Sequence, residues 1–276
     1  MKIAIIGLGL MGGSLALSLQ KLDFISSVVG SDHNTKHQTD ALSLGLVEKI
    51  VSFEEVQQCD VIFLCIPVNG VIATLKKFDN INSKTTIIDL GSTKELIVSS
   101  VPSDIRKNFV ASHPMTGTEN FGPHAAIEGL YTDKVVVLCD LEESGEHQQK
   151  VARKIFKSLG MKKYFMKANE HDRHAAFISH MPHAISYSIA NTVMKQEDKH
   201  NILALAAGGF RSMSRLAKSS PNMWEDIFKQ NKENLLEAIE LFENELSIFK
   251  KDIEDENWKN LNQKMSSGKK LHEILD

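Results

Sequence analysis

The sequence predicts an α/β fold, with a parallel-sheet domain at the amino end followed by an all-α domain. Short β-branched runs alternate with helical patterns through the first part of the chain, and such alternation indicates a parallel sheet with right-handed crossovers. From Ala168 onward these runs thin out and helical periodicity dominates. We therefore expect one domain at residues 1–167 and a helical domain at residues 168–276.

The first predicted strand leads into a glycine motif. The β-branched run at 2–6 is followed by Gly7, Gly9 and Gly12 in the spacing GxGxxG, and a helical pattern covers 14–21. In such a motif the first glycine makes a tight turn, the second lets a pyrophosphate approach the backbone, and the third lets the helix pack closely. The helix N-terminus then holds the anion. Placed between a strand and a helix, the motif predicts a Rossmann-type dinucleotide-binding domain.

An acidic residue in the second strand favours NAD as the cofactor. Asp32 ends the run at 27–32 and lies twenty residues beyond Gly12. A carboxylate there accepts hydrogen bonds from the ribose hydroxyls and repels a 2′-phosphate, so NAD is favoured over NADP. The alternative is that Asp32 caps the next helix. The residues expected to contact the cofactor are Gly7, Gly9, Leu10, Met11, Gly12, Asp32 and Pro67.

Three further strand-then-loop units follow the glycine motif. Strands are expected at 61–66, 85–90 and 109–111, and helices at 34–44, 68–78 and 94–101. A strand at 135–138, a helix at 143–159 and a strand at 162–166 complete the domain. Loops after parallel strands open at one edge of the sheet, beside the dinucleotide. We therefore expect one crevice to gather Gly7, Asp32, Pro67, Ser92 and His113.

The loop predicted after the strand at 109–111 holds the candidate base. It runs from Ser112 to Glu119 and contains His113. Loops at strand ends often carry chemistry because a rigid scaffold positions them, and a histidine can pass a proton in either direction near neutral pH. The alternative is a histidine that only makes a hydrogen bond.

Two polar residues follow the strand expected at 85–90. Ser92 either caps the helix that begins after it or presents its hydroxyl to the crevice. Lys94 either binds an anion or is a solvated lysine of the first helical turn, and its role stays unassigned.

The helical half opens with four histidines. His180 and His183 are three residues apart and can share a helical face, although Pro182 disturbs the helix between them. Clustered imidazoles can hold a metal, but no cysteine or ordered set of carboxylates completes such a site, so no metal is expected. His171 and His174, in an acidic first turn, are expected at the surface or between domains, whereas His180 and His183 are better placed to line a pocket.

A glycine-containing segment further along the chain contains Arg211 and Arg215. An arginine fork suits bidentate contact with a carboxylate, whereas most arginines are solvated surface residues. Beyond this segment, apolar residues at spacings of three and four over 225–263 predict one long packing helix that is suited to a dimer interface.

Composition and charge argue against several classes of partner. The 276 residues carry a net charge of −3, which gives no reason to expect nucleic acid or an anionic membrane as a partner. No apolar run approaches the roughly 20 residues that a membrane span needs, and the first residues enter a strand pattern without the layout of a signal peptide. Three scattered cysteines suit a reducing compartment, so a cytoplasmic location is expected.

Together these segments resemble the prephenate dehydrogenase (TyrA) family of tyrosine biosynthesis, in its monofunctional form. The resemblance lies in GLGLMGGSLA at 7–16, GSTK at 91–94, HPMTGTE at 113–119, SHMPHA at 179–184 and GGFRSMSR at 208–215, with MWEDI downstream. Many dehydrogenases share the glycine motif, whereas the later motifs are specific to the family. The matched motifs extend from the amino end to about residue 228.

The resemblance implies NAD-dependent oxidative decarboxylation of prephenate to 4-hydroxyphenylpyruvate. It implies His113 as the base on the 4-hydroxyl, Ser92 as a hydrogen-bonding partner of that hydroxyl or of His113, and Arg215 as the anchor of a substrate carboxylate. The other residues implied around the substrate are Glu119, Thr118, Ser179, His183, Gly208 and Trp224, with His180 nearby. Because the base must be neutral, activity is expected to fall at acid pH as His113 takes up a proton.

The resemblance also bears on assembly and regulation. It implies a homodimer formed through the helical domain. The chain leaves no room for a fused chorismate mutase or ACT domain, so inhibition by tyrosine is expected to act at the active site. Two positions depart from the family pattern, because Thr116 replaces an alanine that many relatives have and Ser212 replaces an acidic residue. Both departures concern the shape of the pocket.

Three other functions remain open from the sequence. Arogenate dehydrogenase has the same catalytic residues and differs in how the substrate side chain is recognised. A β-hydroxyacid or 6-phosphogluconate-type dehydrogenase shares the glycine motif without the later motifs. A non-catalytic NAD-sensing module needs the glycine loop and Asp32, but it has no use for His113, Ser92 and Arg215 together.

Overall fold

The structure, a computed structural model, describes residues 1–275 and contains one seven-stranded sheet. Asp276, the last residue of the predicted helical domain, lies outside the described residues. The strands are β1 (Lys2–Ile6), β2 (Ser27–Ser31), β3 (Val61–Leu64), β4 (Thr86–Asp89), β5 (Phe109–Pro114), β6 (Val135–Cys139) and β7 (Lys162–Met166). The predicted α/β fold with a helical carboxyl-terminal region is confirmed.

Helices alternate with the strands and then make up the rest of the described chain. In the first part they are α1 (Leu10–Leu19), α2 (Thr35–Ser43), α3 (Phe53–Val56), α4 (Val68–Leu75), α5 (Glu95–Ser99) and α6 (Glu146–Ser158). After β7 follow α7 (Ala168–Ala175), α8 (Met181–Met194), α9 (Lys199–Ala204), α10 (Gly208–Ser214), α11 (Pro221–Gln230), α12 (Lys232–Glu254), α13 (Trp258–Lys269) and α14 (His272–Leu275). Single 3₁₀ turns cover Arg106–Asn108, Pro123–Ala125, Leu141–Glu143 and Arg215–Lys218, and a π turn covers Ala176–His180.

The sheet has the strand order β2-β1-β3-β4-β5-β6-β7. All neighbouring strands are parallel except β5 and β6, which are antiparallel. The predicted parallel sheet therefore contains one antiparallel pair. Chain order reverses between β1 and β3, and in open α/β sheets a ligand crevice lies at such a switch point, outside the carboxyl ends of the strands.

The antiparallel pairing changes the surroundings of the candidate base. The sequence predicts that the strand ends at residue 111, but pairing of Ala111–Pro114 with Val136–Cys139 extends β5 through His113. Pro114 is tolerated because it is the last strand residue. His113 is therefore fixed in the sheet and does not lie in a loop.

Both faces of the sheet are buried. Ile3 and Ile5 of β1 belong to one apolar cluster, whereas Ala4 belongs to the cluster on the other face. In β3, Phe63 contributes to the first cluster and Ile62 to the second. Successive side chains of a strand point to opposite faces, so continuous apolar runs suit a sheet covered on both sides.

Internal contacts divide the chain into two compact units, Met1–Asn231 and a unit that begins at Lys232. Helices α7 to α11 share the first unit with the sheet. The domain boundary at residues 167 and 168, which rests on composition, stays a prediction. No helix within residues 1–275 has the length and apolar character to cross a membrane.

The single helix predicted over 225–263 is wrong, because the chain forms α11, α12 and α13 there. Helix α11 ends before Asn231, whose φ of −113° and ψ of 33° are not helical. After α12, Glu256 adopts a left-handed φ of 50°, and the Asn257 side chain accepts a hydrogen bond from Asn260 N at the start of α13. Asparagine favours helix ends over helix interiors. The apolar periodicity over 225–263 therefore continues through two positions at which one helix ends and the next begins.

Candidate functional site

The glycine loop after β1 has the geometry of a dinucleotide cradle. Gly7 has a φ of +94°, and a Cβ there would lie 2.4 Å from the Cys65 carbonyl oxygen. A Cβ on Gly12 would lie 1.9 Å from the Gly7 carbonyl oxygen, so close packing requires both glycines. For Gly9 the nearest atom to such a Cβ is Gly122 N, at 4.0 Å. The space beside Gly9 is free of protein, which fits the approach of a pyrophosphate to α1, where Leu10 and Met11 form the first turn.

Asp32 anchors this loop from the end of β2. Its carboxylate is 4% exposed and accepts hydrogen bonds from Leu8 N and Asn34 N, both at 2.8 Å. The side chain that caps α2 is Asn34, which accepts from Lys36 N at 2.9 Å and His37 N at 3.4 Å. The alternative interpretation of Asp32 as the helix cap is therefore wrong.

The first turn of α4 and the loop after β4 both contact one glutamine of α11. Gln230 Nε2 donates to Asn69 Oδ1 at 2.7 Å, two residues after Pro67, which precedes α4. Thr93 Oγ1 donates to Gln230 Oε1 at 2.6 Å. Ser92, the neighbour of Thr93, is half-buried. Two predicted crevice residues, Pro67 and Ser92, thus lie within two residues of side chains that share one hydrogen-bonding partner.

His113 lies at the start of a buried hydrogen-bonded chain. It is 9% exposed, and its Nδ1 lies 2.8 Å from His171 Nε2. His171 Nδ1 lies 2.8 Å from Asp172 Oδ1. Burial lowers the pKa of His113 well below 6.5, and the Lys94 ammonium also disfavours its protonation. The predicted base is therefore strongly biased toward its neutral form.

The structure corrects the prediction for His171. It is 3% exposed, so its expected position at the surface is wrong, whereas its contact with His113 fits the other expectation, a position between the two predicted domains. His174 is exposed, as predicted. The residues buried in α7 recur at spacings of three and four and include two alanines, Ala168 and Ala175. This periodicity is the sequence signal that could have placed His171 and Asp172 on the buried face.

Asp172 also replaces Ser92 as the cap of α5. Its Oδ1 accepts from Lys94 N at 2.7 Å and its Oδ2 from Glu95 N at 2.9 Å. Among residues 1–275, Ser92 caps no helix and makes no hydrogen bond to His113. The implied contact between Ser92 and His113 is absent from this geometry, and the place of Ser92 in the crevice stays a prediction.

Lys94 is the least expected member of the site. It is fully buried, and its Nζ donates to the Asp89 carboxylate and, at 2.8 Å, to the carbonyl of Ser112. The alternative of a solvated lysine is therefore wrong. Burial raises the pKa of Asp89 while the Lys94 charge opposes that rise. Since Ser112 precedes His113, this ion pair braces the backbone beneath the base.

Several residues implied around the substrate lie together. Arg215 Nη1 is 3.5 Å from Glu119 Oε2. His183 stacks on Trp224, with ring centroids 3.6 Å apart, and its Nδ1 donates to the Ser179 carbonyl oxygen at 2.8 Å. Burial lowers the pKa of His183, and the Arg215 charge lowers it further. A cation, a carboxylate and two aromatic rings thus form one polar-aromatic cluster.

The π turn at Ala176–His180 places His180 next to this cluster. His180 Nδ1 lies 3.0 Å from Asn231 Nδ2, and its ring meets Trp224 edge-on at 5.9 Å. Burial lowers the pKa of His180 to about 4. Pro182 lies in the first turn of α8, where proline is tolerated, so the helix is not broken between the two histidines. Within residues 1–275, His180 Nε2 and Trp224 Nε1 are buried without a hydrogen-bond partner.

Two predicted site residues, Thr118 and Gly208, are described only by features close to them in sequence. Thr118 is exposed, and its Oγ1 accepts a hydrogen bond from Asn120 N at 3.2 Å. Gly208 begins α10 and has open space where a Cβ would project. The unassigned Arg211 is also exposed and donates from Nε to the Ala206 carbonyl oxygen at 3.2 Å. No group of three His, Cys, Asp or Glu side chains in the described chain could hold a metal ion.

An apolar cavity of about 370 Å³ has His171 as one of its lining residues. Met115, Val137, Met166 and Ile178 contribute to its lining. None of the residues implied around the substrate lines it. This cavity is therefore distinct from the cluster around Arg215 and His183.

Comparison with known proteins identifies relatives across nearly the whole chain. The family model described as prephenate dehydrogenase, nucleotide-binding domain, matches residues 15–165. The model described as prephenate dehydrogenase, dimerization domain, matches residues 167–267.

Two curated relatives and one solved structure agree with these matches. The prephenate dehydrogenase of Bacillus subtilis (strain 168) is 30% identical, over 94% of this chain and 72% of its own length. That of Lactococcus lactis subsp. cremoris (strain MG1363) is 32% identical, over 100% of this chain and 77% of its own. The crystal structure of prephenate dehydrogenase from A. aeolicus, in complex with hydroxyphenyl propionate and NAD+, is similar with a TM-score of 0.92. It is 31% identical, and the match covers 100% of this chain and 98% of that chain.

Proposed function

The chain belongs to the prephenate dehydrogenase family, and we propose that it converts prephenate to 4-hydroxyphenylpyruvate with NAD as the hydride acceptor. The observation that carries the proposal is the position of His113. It is a buried, neutral histidine in the sheet whose first strand ends in the glycine loop. A base near a dinucleotide cradle suits an oxidation in which a hydroxyl group loses its proton.

The residues of the cradle fit NAD. Gly7 and Gly12 shape the turn, Gly9 leaves room for a pyrophosphate, and Asp32 presents a carboxylate at the end of β2. Leu10, Met11 and Pro67 complete the proposed contacts. When bound, NAD supplies the acceptor for the hydride that leaves the carbinol carbon of the substrate.

His113 accepts, and later returns, the proton of the hydroxyl group on the carbinol carbon. As the hydride leaves, His113 takes the hydroxyl proton, and a ring ketone forms. The C–C bond to the ring carboxylate then breaks, carbon dioxide departs, and the electron pair aromatises the ring. The ring oxygen recovers the proton from His113 and becomes a phenol, so the enzyme returns to its starting protonation state.

The polar-aromatic cluster is the proposed site for the rest of the substrate. Prephenate carries two carboxylates, and Arg215 is the cation available to bind one of them. Substrate contacts are proposed for Glu119, Thr118, Ser179, His183, Gly208 and Trp224, with Ser92 hydrogen-bonding to the hydroxyl group. In this scheme residues 1–167 bind the cofactor and supply the substrate contacts of Ser92, His113, Thr118 and Glu119. Residues 168–276 supply the other substrate contacts and form the dimer.

Assembly and biological role are part of the proposal. We expect a homodimer, because the match at residues 167–267 is to a dimerization domain. Large apolar side chains such as Leu246, Ile253 and Trp258 are more than half exposed in the isolated chain, which supports a partner surface. The product is the keto acid of tyrosine, so the role is in tyrosine biosynthesis, and tyrosine can compete for the same site as an inhibitor. The three cysteines are free thiols, which suits the cytoplasm.

The direct test follows NADH absorbance with prephenate and arogenate, each with NAD and with NADP. Turnover of prephenate with NAD is the expected result. A preference for arogenate would keep the mechanism and change the side-chain assignment. Tight NAD binding with no turnover of either compound would overturn the enzyme function and favour an NAD-sensing module.

A further inference from the structure

We propose that His171 and Asp172 are positioning residues that hold His113 in the tautomer protonated on Nδ1, so that Nε2 carries the basic electron pair. The proposal rests on the proposed function only for its use in turnover. The tautomer itself is a property of the free protein.

The direction of the hydrogen bonds follows from Asp172. Its two carboxylate oxygens already accept from Lys94 N at 2.7 Å and Glu95 N at 2.9 Å, so Asp172 acts as an acceptor. His171 Nδ1 must then carry the proton that it shares with Asp172 Oδ1 at 2.8 Å. A neutral imidazole protonated on Nδ1 offers only Nε2 as an acceptor.

The same logic fixes the base. His171 Nε2 accepts the hydrogen bond at 2.8 Å from His113 Nδ1, so His113 Nδ1 carries a proton. His113 Nε2 is left with a free electron pair, which is the form that takes a proton from a hydroxyl group. Two successive hydrogen bonds therefore set the protonation pattern of the base.

The chain is held rigidly enough to maintain this order. Asp172 is 1% exposed and His171 is 3% exposed. The Asp172 carbonyl oxygen accepts from Asn231 Nδ2 at 2.6 Å, and the rings of His113 and His171 meet edge-on at 67°. The buried carboxylate is tied to two backbone amides, and the backbone carbonyl of the same residue is tied to Asn231. The hydrogen bonds cannot be reversed without breaking these contacts.

The surrounding charges also favour moving the acquired proton away from His113. The Lys94 ammonium disfavours a positive charge on the His113 ring, and its Asp89 partner already accepts from it. His180, the other titratable neighbour, has a pKa of about 4. When Nε2 takes the hydroxyl proton, the Nδ1 proton can pass to His171 Nε2, which leaves the positive charge beside Asp172. Both protons return when the product oxygen is protonated.

The test combines histidine nitrogen NMR with kinetics on four variants. The His171→Gln variant keeps an acceptor for His113 Nδ1–H but cannot hold a proton, whereas His171→Leu removes the acceptor. Asp172→Asn offers an amide donor to His171 Nδ1 and so reverses the chain. His174→Gln is the matched control, because His174 is an exposed histidine on the same helix.

The free wild-type protein should show His113 protonated on Nδ1. His171→Gln should keep that tautomer and lose about 10-fold in kcat. His171→Leu and Asp172→Asn should lose that tautomer and roughly 100-fold or more in kcat. KM for prephenate and the affinity for NAD should stay within about threefold of wild type, and the control should match wild type in every measurement.

Two results would overturn the proposal. One is a wild-type His113 protonated on Nε2. The other is unchanged kcat in both folded His171 variants. Folding of all four variants is checked by NAD binding, and the check matters most for Asp172→Asn because Asp172 accepts hydrogen bonds at the start of α5. Failure of the proposed function would look different, since wild-type protein would then leave prephenate unchanged while the NMR signals still report the tautomer.

Discussion

Arg215 and Glu119 form an ion pair in which Nη1 of the arginine lies 3.5 Å from Oε2 of the glutamate. Their side chains are 54% and 25% exposed, and an exposed pair of this kind contributes only about 0 to 1 kcal/mol. A substrate carboxylate that makes two hydrogen bonds to the guanidinium can therefore displace Glu119. The pair keeps the arginine near His183 and leaves it available for the substrate.

Removing the Arg215 guanidinium should weaken substrate binding selectively. For Arg215→Gln we expect kcat/KM for prephenate to fall about 100-fold, because a charge-assisted bidentate contact is worth roughly 3 kcal/mol. NAD affinity should not change. Arg211→Gln is the matched control, because Arg211 is exposed and its Nε is engaged by the Ala206 carbonyl. Equal losses in the two variants would remove Arg215 from the proposed substrate site.

The pH dependence of turnover should reflect the burial of His113. The sequence alone predicts a fall in activity through the ordinary histidine range, but burial lowers the pKa of His113 well below 6.5. The base is therefore neutral throughout that range, and kcat should be flat between about pH 6 and 8 and fall only at more acid pH. Measurement of kcat against pH by NADH absorbance checks this, and a midpoint near 6.5 would contradict it.

The neutral base can also be removed outright. His113→Ala should abolish turnover of prephenate, because it removes the proposed base. It should leave NAD affinity intact, since the glycine loop follows β1 and the histidine lies on β5. Loss of NAD binding in this variant would mean that His113 acts through the cofactor site.

Asp32 should determine the preference between NAD and NADP. At roughly 5 Å and an effective dielectric of about 20 to 80, a carboxylate repels a phosphate charge by about 1 to 3 kcal/mol. Asp32→Asn should therefore raise the ratio of kcat/KM for NADP to that for NAD by about tenfold or more. Asp40→Asn, a change at a carboxylate of α2, is the control. An unchanged ratio in Asp32→Asn would limit Asp32 to holding Leu8 N.

The sequence predicted the elements of the sheet better than the contacts between them. Local signals, such as the glycines of the first loop and the run at 2–6, suffice to place β1 and α1. The extension of β5 depends on antiparallel pairing with β6, a contact between segments more than twenty residues apart. The segment around His171 is polar in composition, so the spacing of the buried residues Ala168, His171, Asp172 and Ala175 is the one local signal of its burial.

The buried ion pair of Lys94 and Asp89 illustrates the same limit. A lysine at the start of a helix is solvated in most proteins, and local sequence gives no reason to expect otherwise. Lys94 is buried because Asp89 precedes it by five residues and the Ser112 carbonyl lies across the sheet. Ser112 is distant from Lys94 in sequence and Asp89 is not, yet neither can be recognised as a partner of Lys94 without the fold.

His180 should make the stability of the protein depend on pH. Its pKa is about 4 in the folded state and about 6.5 in an unfolded chain. Below pH 6.5 the unfolded state therefore binds a proton that the folded state does not, so the free energy of unfolding falls as the pH falls. Between pH 7 and pH 5 this contribution amounts to about 2 kcal/mol. Urea denaturation followed by tryptophan fluorescence should show that His180→Gln loses less stability over this interval than wild type does, by about that amount. His174→Gln, a change at an exposed histidine, should behave as wild type, and the same pH dependence in all three proteins would show that His180 is not the group responsible.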